Sequence, residues 1–237
     1  MNLKKIRLVS FFLLIASVSS VNADSHVSLG LVLNGSGWNG DNGSGRSDFD
    51  SDEGGQFGFR ASYTLDRLYF GLSLQGGDYQ FNDAAPTQFT SGGELTASNV
   101  KLTHSDFDLL AGYYFWERVS LFLDLKSAGS EWQNNGYKQS FSGLGIGVSG
   151  FNPLSQKWTL YGSWGVVGGT IKQGDSTELG DGRSTALVLG ANYTLSKNNY
   201  LNMGLKIRNY KFDYDDGNQQ DYSINGLFVG YNHVFEL

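Results

Sequence analysis

The sequence of 237 residues contains no cysteine and only two prolines. Without cysteine there are no disulfide bonds, no thiolate chemistry and no site for lipoprotein acylation. Beyond residue 23 no apolar run approaches the roughly 18 residues that a transmembrane helix needs. Positive charge is also scarce, with 17 Lys and Arg against 23 Asp and Glu. Such an acidic chain is a poor candidate for nucleic-acid binding, because that affinity comes from neutralising phosphates.

The first residues have the pattern of a secretory signal peptide. Basic residues between positions 4 and 7 precede an apolar segment at 8–16 and a small-residue cleavage site that ends at Ala23. The apolar segment is too short for a comfortable membrane anchor. We therefore expect residues 1–23 to be a signal peptide and residues 24–237 to form one exported domain.

The rest of the chain is rich in glycine, with 33 residues, and in tyrosine and phenylalanine, which alternate with polar residues. The segment 106–126 (DFDLLAGYYFWERVSLFLDLK) shows this alternation most clearly. Every second residue from Phe107 to Phe115 is apolar, and the pattern resumes at Val119 after a short turn at 116–118. A side-chain period of two predicts β-strands, and two such runs joined by a short turn predict an antiparallel hairpin.

Ten alternating runs follow one another along the chain, at about 25–34, 55–65, 68–77, 104–115, 119–128, 139–151, 157–172, 183–195, 199–213 and 221–237. Their connections alternate between short turns and longer loops rich in Gly, Asp, Asn and Ser. This pattern predicts an all-β fold, an antiparallel up-and-down transmembrane β-barrel with short periplasmic turns and long extracellular loops. Ten strands is the preferred count, with eight or twelve as alternatives.

One face of each run is apolar and contains no formally charged residue. A water-soluble sheet would place Lys and Glu on its outer face, whereas lipid penalises an outward Lys or Arg by about 2–4 kcal/mol at the bilayer midplane. The apolar face is therefore predicted to contact lipid. The opposite face is predicted to line the lumen, where buried charges of both signs should pair. The expected lumen charge network consists of Arg60, Asp106, Asp108, Asp124, Lys126, Lys206 and Arg208.

Three glycines, Gly143, Gly145 and Gly147, alternate on the inward face of the sixth run. Their spacing differs from that of a nucleotide-binding loop, and no helix follows them. Two interpretations remain open. The glycines either make room for bulky inward neighbours such as Tyr161 or leave a narrow, wet path through a small lumen.

Other candidate sites fail on spacing. His104, Ser105 and Asp106 contain the residue types of a catalytic triad, but adjacent strand residues point to opposite faces, so Ser105 cannot meet the other two. The acidic segment 48–54 begins like a calcium loop, but its glycine comes one place late and Phe59 occupies the closing glutamate position. We therefore predict no catalytic residues, no metal site and no cofactor.

The final strand, GLFVGYNHVFEL, resembles the last strand of small outer-membrane β-barrel proteins of Gram-negative bacteria. Val229, Tyr231 and Phe235 match its alternating apolar pattern, while His233 interrupts that pattern and Leu237 replaces the usual terminal aromatic residue. The resemblance implies export to the outer membrane, insertion by the barrel-assembly machinery, and contact with outer-membrane lipid and lipopolysaccharide.

For function we expect a non-enzymatic envelope protein, acting structurally or as a narrow channel for small solutes. One alternative is a surface protein whose loops bind a ligand. The other is an outer-membrane enzyme that modifies lipid or cleaves protein.

Overall fold

The computed structural model describes residues 25–43, 45–90, 93–174 and 177–237. The expected signal peptide, residues 1–23, lies outside the described residues. In the described part of the chain, no helix is both long and apolar enough to cross a membrane.

The described residues form thirteen β-strands, ten of which are long. The strands are β1 (Ser25–Asp41), β2 (Phe49–Asp50), β3 (Glu53–Leu65), β4 (Leu68–Ala84), β5 (Gln88–Thr90), β6 (Gly93–Leu95), β7 (Ser98–Trp116), β8 (Val119–Trp132), β9 (Lys138–Pro153), β10 (Trp158–Gln173), β11 (Thr177–Ser196), β12 (Asn199–Tyr214) and β13 (Gln219–Glu236). The ten long strands pair antiparallel in chain order, and β13 pairs with β1 to close the sheet. The predicted ten-stranded antiparallel barrel is confirmed. Closure matters because lipid offers no hydrogen-bonding partners to an open sheet edge.

Tight turns join the strands at the end where the chain enters and leaves the barrel. The turn between β3 and β4 contains only Asp66 and Arg67, and Asp66 has a φ of 53°. A positive φ suits a two-residue hairpin, and aspartate tolerates it better than most residues. Ser25 and Glu236, at the outer bounds of β1 and β13, lie at this same end, which is the predicted periplasmic side.

The strands extend farther towards the long loops than the sequence pattern predicted. β1 continues to Asp41 instead of ending near 34, β4 continues to Ala84 instead of 77, and β7 begins at Ser98 instead of 104. These extensions keep the two-residue period but reverse its polarity, with apolar side chains inward and polar side chains outward. The outward apolar pattern therefore ends before the strands themselves end. We call this extracellular part of the barrel the collar.

A belt of apolar side chains surrounds the barrel between the collar and the tight turns. Leu123, Leu144 and Leu227 are 64%, 72% and 73% exposed. Such large exposed apolar groups would be unfavourable in water, so the belt defines the lipid-facing surface. It includes Leu29, Leu31, Leu33, Phe57, Leu68, Phe70, Leu74, Tyr113, Leu121, Leu123, Leu125, Leu144, Ile146, Val148, Leu160, Trp164, Leu189, Met203, Leu227, Val229 and Tyr231.

Candidate functional site

A cluster of buried charges occupies the interior of the barrel, with the Asp106 carboxylate at its centre. Oδ1 of Asp106 accepts hydrogen bonds from Lys126 Nζ (3.1 Å) and from the Tyr210 hydroxyl (2.8 Å). Oδ2 accepts a hydrogen bond from Arg208 Nη1 and lies 3.1 Å from His104 Nε2. The Asp106 side chain is completely buried, so these partners replace its hydration. We call Asp106, Asp108, Lys126 and Arg208, with His104 and Tyr210, the charge cluster.

Asp108 shares both cations with Asp106. Its Oδ1 accepts from Lys126 Nζ at 2.8 Å, and its Oδ2 accepts from Arg208 Nη2 at 3.0 Å. The two aspartates lie on β7, whereas Arg208 lies on β12, which is not a neighbour of β7 in the sheet. The Arg208 guanidinium therefore crosses the lumen and links two opposite walls of the barrel.

Three of the seven expected network residues make no ion pair with any described residue. Lys206 Nζ donates to the Gln75 side-chain oxygen at 2.7 Å. The Arg60 guanidinium lies 5.1 Å from the centre of the Phe228 ring, a cation–π distance. Oδ1 of Asp124 is buried and has no hydrogen-bond partner among the described residues. The structure thus pairs four of the seven charges directly and leaves these three at the margin.

The His104-Ser105-Asp106 sequence does not form a triad. His104 and Asp106 point into the barrel, where His104 Nδ1 also lies 3.0 Å from Ser130 Oγ. Ser105 points outward and is exposed. Among the residues described, no group of three or more His, Asp or Glu side chains is arranged to hold a metal ion.

Above the charge cluster, aromatic side chains fill the inside of the collar. The Trp38 ring is 1% exposed, and its centre lies 5.2 to 5.7 Å from the ring centres of Tyr79, Phe81, His104 and Tyr222. Tyr222 in turn stacks on Tyr210 at 4.8 Å. A cavity beside Trp38 and His104 measures about 10 Å³, which is about the space of one water molecule. This interior, which we call the aromatic core, is filled by contacting, buried side chains, as in the core of a protein.

Residues 84–90 and 93–97, which we call the cap segment, fold back over the aromatic core. It contains the short hairpin of β5 and β6. Asn42 anchors it twice, because its Nδ2 donates to the Ala85 carbonyl (3.1 Å) and its Oδ1 accepts from the Thr87 amide (2.8 Å). Gln220 Nε2 also donates to the Thr87 carbonyl (3.3 Å). The segment that follows β1, the cap segment and the start of β13 are thereby tied together inside the mouth of the barrel.

Further contacts hold the cap segment from the end of β8 and from the loop that joins β8 to β9. Trp132 Nε1 donates to the Pro86 carbonyl at 3.2 Å, and the Tyr137 hydroxyl donates to the Phe89 carbonyl. Burial raises the pKa of Tyr137 above its ordinary value, which keeps this hydroxyl protonated as a donor. The Phe89 ring packs 4.1 Å from the Tyr214 ring, measured between centres. The cap segment is therefore fixed on several sides.

The alternating inward glycines lie against their neighbours. A Cβ atom on Gly147 would be 2.2 Å from Phe122 Cζ, and one on Gly145 would be 2.5 Å from Val167 Cγ2. On Gly143 it would be 2.2 Å from the Gly168 carbonyl oxygen. These glycines make room for bulky side chains and for the adjoining backbone. Tyr161, which the sequence suggested as such a neighbour, packs instead against Gly190 on β11. A Cβ on Gly190 would be 2.6 Å from the Tyr161 hydroxyl oxygen.

We expect the substitution Gly147→Ala to destabilise the barrel by about 1–3 kcal/mol, because the methyl group would force Phe122 or the backbone to move. The measurement is denaturant unfolding in detergent micelles, followed by tryptophan fluorescence. Gly168→Ala is the matched control, since nothing lies within 4 Å of a Cβ at that position. Equal unfolding midpoints for the two variants would contradict the packing role of Gly147.

Seven aromatic side chains of the collar and of its connecting segments are buried: Trp38, Phe49, Phe81, Phe89, Trp132, Tyr137 and Tyr214. A sequence signal for this burial exists in the alternation of Lys211, Phe212, Asp213 and Tyr214 along β12. A side-chain period of two places the two rings inward and the two charges outward. The contacts of the cap segment had no comparable sequence pattern, since they use backbone carbonyls and amide side chains.

The chain matches no protein-family model and no curated protein. Its fold is similar to that of the outer-membrane protease OmpT from Escherichia coli, with 12% identity, a TM-score of 0.56, and coverage of 92% of this chain and 100% of that one. An outer-membrane channel from Pseudomonas putida F1 has 12% identity and a TM-score of 0.43, covering 92% of this chain and 98% of its own. The β domain of the Bordetella autotransporter Brka has 13% identity and a TM-score of 0.42, covering 90% and 100%.

The fold is therefore that of an outer-membrane β-barrel protein. At these identities the likeness concerns the fold and does not extend to the activities of those proteins.

Proposed function

We propose that this protein is a non-enzymatic structural barrel of the Gram-negative outer membrane, with a lumen closed towards the outside. The signal peptide would direct export, and the barrel-assembly machinery would insert the chain from the periplasm. The observation that supports closure is the stack of three layers in the lumen. The charge cluster lies lowest, the aromatic core lies above it, and the cap segment covers both.

This proposal favours the structural half of the sequence expectation over the channel half. A solute would have to displace Trp38 and Tyr222, which are buried and in contact, and also separate Asp106 from Arg208. A non-enzymatic role is supported by the same geometry, because the His104 and Asp106 side chains lie beneath the rings. A substrate at the cell surface would not reach them.

We expect purified protein in a planar lipid bilayer to show no ion-conductance steps, because the aromatic core leaves no continuous water path. A general porin measured in the same bilayer shows that inserted channels are detected. A variant with Trp38, Phe81 and Tyr222 all changed to alanine should conduct, provided that it still shows the heat-shifted gel mobility of a folded barrel. Regular conductance steps from the wild-type protein would overturn the closed-lumen proposal.

The competing enzymatic role has a direct test. Folded wild-type protein should leave the lipid A of added outer-membrane lipid unaltered in mass, and should leave a denatured protein substrate uncleaved. A mass change or cleavage that disappears in a His104→Ala variant would refute the non-enzymatic proposal.

The ordered extracellular end favours ligand binding by the loops as a second candidate function. Arg46 donates to Glu94 and to Asn218 (2.8 Å), so three segments of the extracellular end share one hydrogen-bond network. A pre-organised surface loses less conformational entropy on binding. Cells producing the wild type would then adhere to a host-cell layer more than cells producing an Arg46→Ala, Glu94→Ala variant. Equal adhesion at equal surface amounts would argue against this role.

A further inference from the structure

A groove on the lipid-facing surface runs across β8 to β11 and ends beneath an arginine. It has a volume of about 480 Å³, and Leu123, Leu144, Ile146, Val166 and Gly168 form its apolar walls. Arg183 completes the lining. Gly168 lies between the bulkier side chains, and nothing within 4 Å would contact a Cβ placed on it.

The groove continues towards the periplasmic side. A second hollow of about 700 Å³ shares Leu123, Ile146 and Val166 with the first, and it extends as far as Tyr113 and Leu68, beside the tight turns. We call the two hollows together the trough. It crosses the apolar belt from the collar to the tight turns. Its length and apolar walls suit an extended hydrocarbon chain.

Two cations lie side by side at the extracellular end of the trough. Arg183 on β11 is the direct partner of Lys211 on β12 in the sheet register, and both are exposed on the outer face. Like charges placed directly opposite each other on neighbouring strands are destabilising. Arg183 makes no ion pair with any residue that the structure describes, and Lys211 Nζ lies 3.8 Å from the nearest oxygen of Asp221.

Elsewhere on the outer face of the collar the charges are matched more closely. Lys101 lies 2.7 Å from Asp78. Lys138 lies 3.1 Å from Glu131. One step above the two cations, Asp181 and Asp213 also lie opposite each other, so opposite charges are available on the same face. Arg183 still forms no ion pair with either of these carboxylates, and its side chain lines the groove.

We propose that the trough is a binding site for one molecule of the phosphorylated glycolipid of the outer leaflet. An acyl chain would lie along the trough, and a phosphate of the headgroup would lie on Arg183 and Lys211. Guanidinium groups bind phosphate through paired hydrogen bonds, and a second anion-binding cation strengthens such a site. The bound phosphate would also relieve the repulsion between the two cations. This inference requires the outer-membrane fold but not a closed lumen.

The barrel contains its own control for this site. Another outward groove, of about 500 Å³, is lined by Leu33, Gly35, Phe57, Leu227 and Val229 together with neutral polar residues. None of the described residues that line it is charged. As at Gly168, nothing within 4 Å would contact a Cβ on Gly35. A Cβ at either glycine has free space, so a leucine at each position would extend its side chain into a groove of similar size.

The experiment measures binding of lipid A to folded, delipidated protein in detergent, by native mass spectrometry across a lipid titration. Wild-type protein should bind one molecule of lipid A in preference to its dephosphorylated form. The double variant Arg183→Gln, Lys211→Gln should bind roughly thirtyfold more weakly, because each cation contributes to the attraction of an anionic headgroup. Gly168→Leu should also weaken binding, whereas Gly35→Leu should not. Heat-shifted gel mobility establishes that every variant is folded.

Several outcomes would overturn the proposal. If the wild type and the double variant bound lipid A with equal affinity, Arg183 and Lys211 would not form a headgroup site. The same conclusion would follow if the wild type bound lipid A and its dephosphorylated form equally well. Equal effects of Gly168→Leu and Gly35→Leu would show that the trough has no special role. Inorganic phosphate that competes with lipid A at equal concentration would show an anion site that does not select lipid.

Discussion

Replacing Asp106 by asparagine is expected to destabilise the folded barrel by about 3–5 kcal/mol, the cost of breaking a buried ion pair by removing one partner. Asparagine retains the size of the side chain but removes the charge that Lys126 and Arg208 face. Among the residues that the structure describes, Asp108 would then be the only carboxylate paired with these two buried cations. The free energy of unfolding in phospholipid vesicles, obtained from urea titration of tryptophan fluorescence, measures this loss.

The control for this prediction is Glu131→Gln, which removes an ion pair from the outside of the collar. Glu131 lies 3.1 Å from Lys138, and both side chains are about half exposed. Exposed pairs contribute about 0–1 kcal/mol, so this variant should unfold close to the wild type. If the two substitutions shifted the unfolding midpoint equally, the charge cluster would not be what links opposite walls of the barrel.

The second large effect is expected on the lipid face. Leu31 lies in the middle of the apolar stretch of β1 and is 52% exposed. Leu31→Arg should destabilise the inserted barrel by about 2–4 kcal/mol, because the guanidinium would face hydrocarbon near the bilayer midplane. The same vesicle unfolding measurement detects the change.

A matched substitution on the same strand and face tests whether depth is the cause. Asn39 points outward eight residues further along β1, within the collar, and is exposed. An arginine there would face water or headgroups, where the cost falls to about 0–1 kcal/mol. Equal destabilisation by Leu31→Arg and Asn39→Arg would contradict the assignment of the apolar belt to lipid.

The sequence was sufficient to predict the barrel because lipid imposes a simple rule on every strand. Leu29, Leu31 and Leu33 are apolar at alternate positions and face outward, and the same holds for Leu121, Leu123 and Leu125. Hairpin turns such as Asp66-Arg67 then fix the order of the strands. Composition, period and turn length thus all predict the same architecture.

The interior was harder to predict because its contacts join residues far apart in sequence. A charged network could be expected from Asp106 and Lys126 on adjoining strands, but the span of Arg208 across the lumen depends on the curvature of the closed sheet. The position of the cap segment depends on hydrogen bonds made by the side-chain amides of Asn42 and Gln220. Asparagine and glutamine are also common at protein surfaces. Nothing in their local sequence distinguishes an anchor from a solvated side chain.

The collar rises well beyond the apolar belt on the extracellular side. On β1 it continues for eight residues beyond Leu33, and at about 3.3 Å per residue and a tilt near 40° it rises about 20 Å. In the proposed outer-membrane location, a wall of that height would stand clear of the hydrocarbon region, and its hydrophilic exterior suits contact with headgroups and water. A large ligand that approached from outside would then contact the loops at the rim of the collar before it contacted the outer wall.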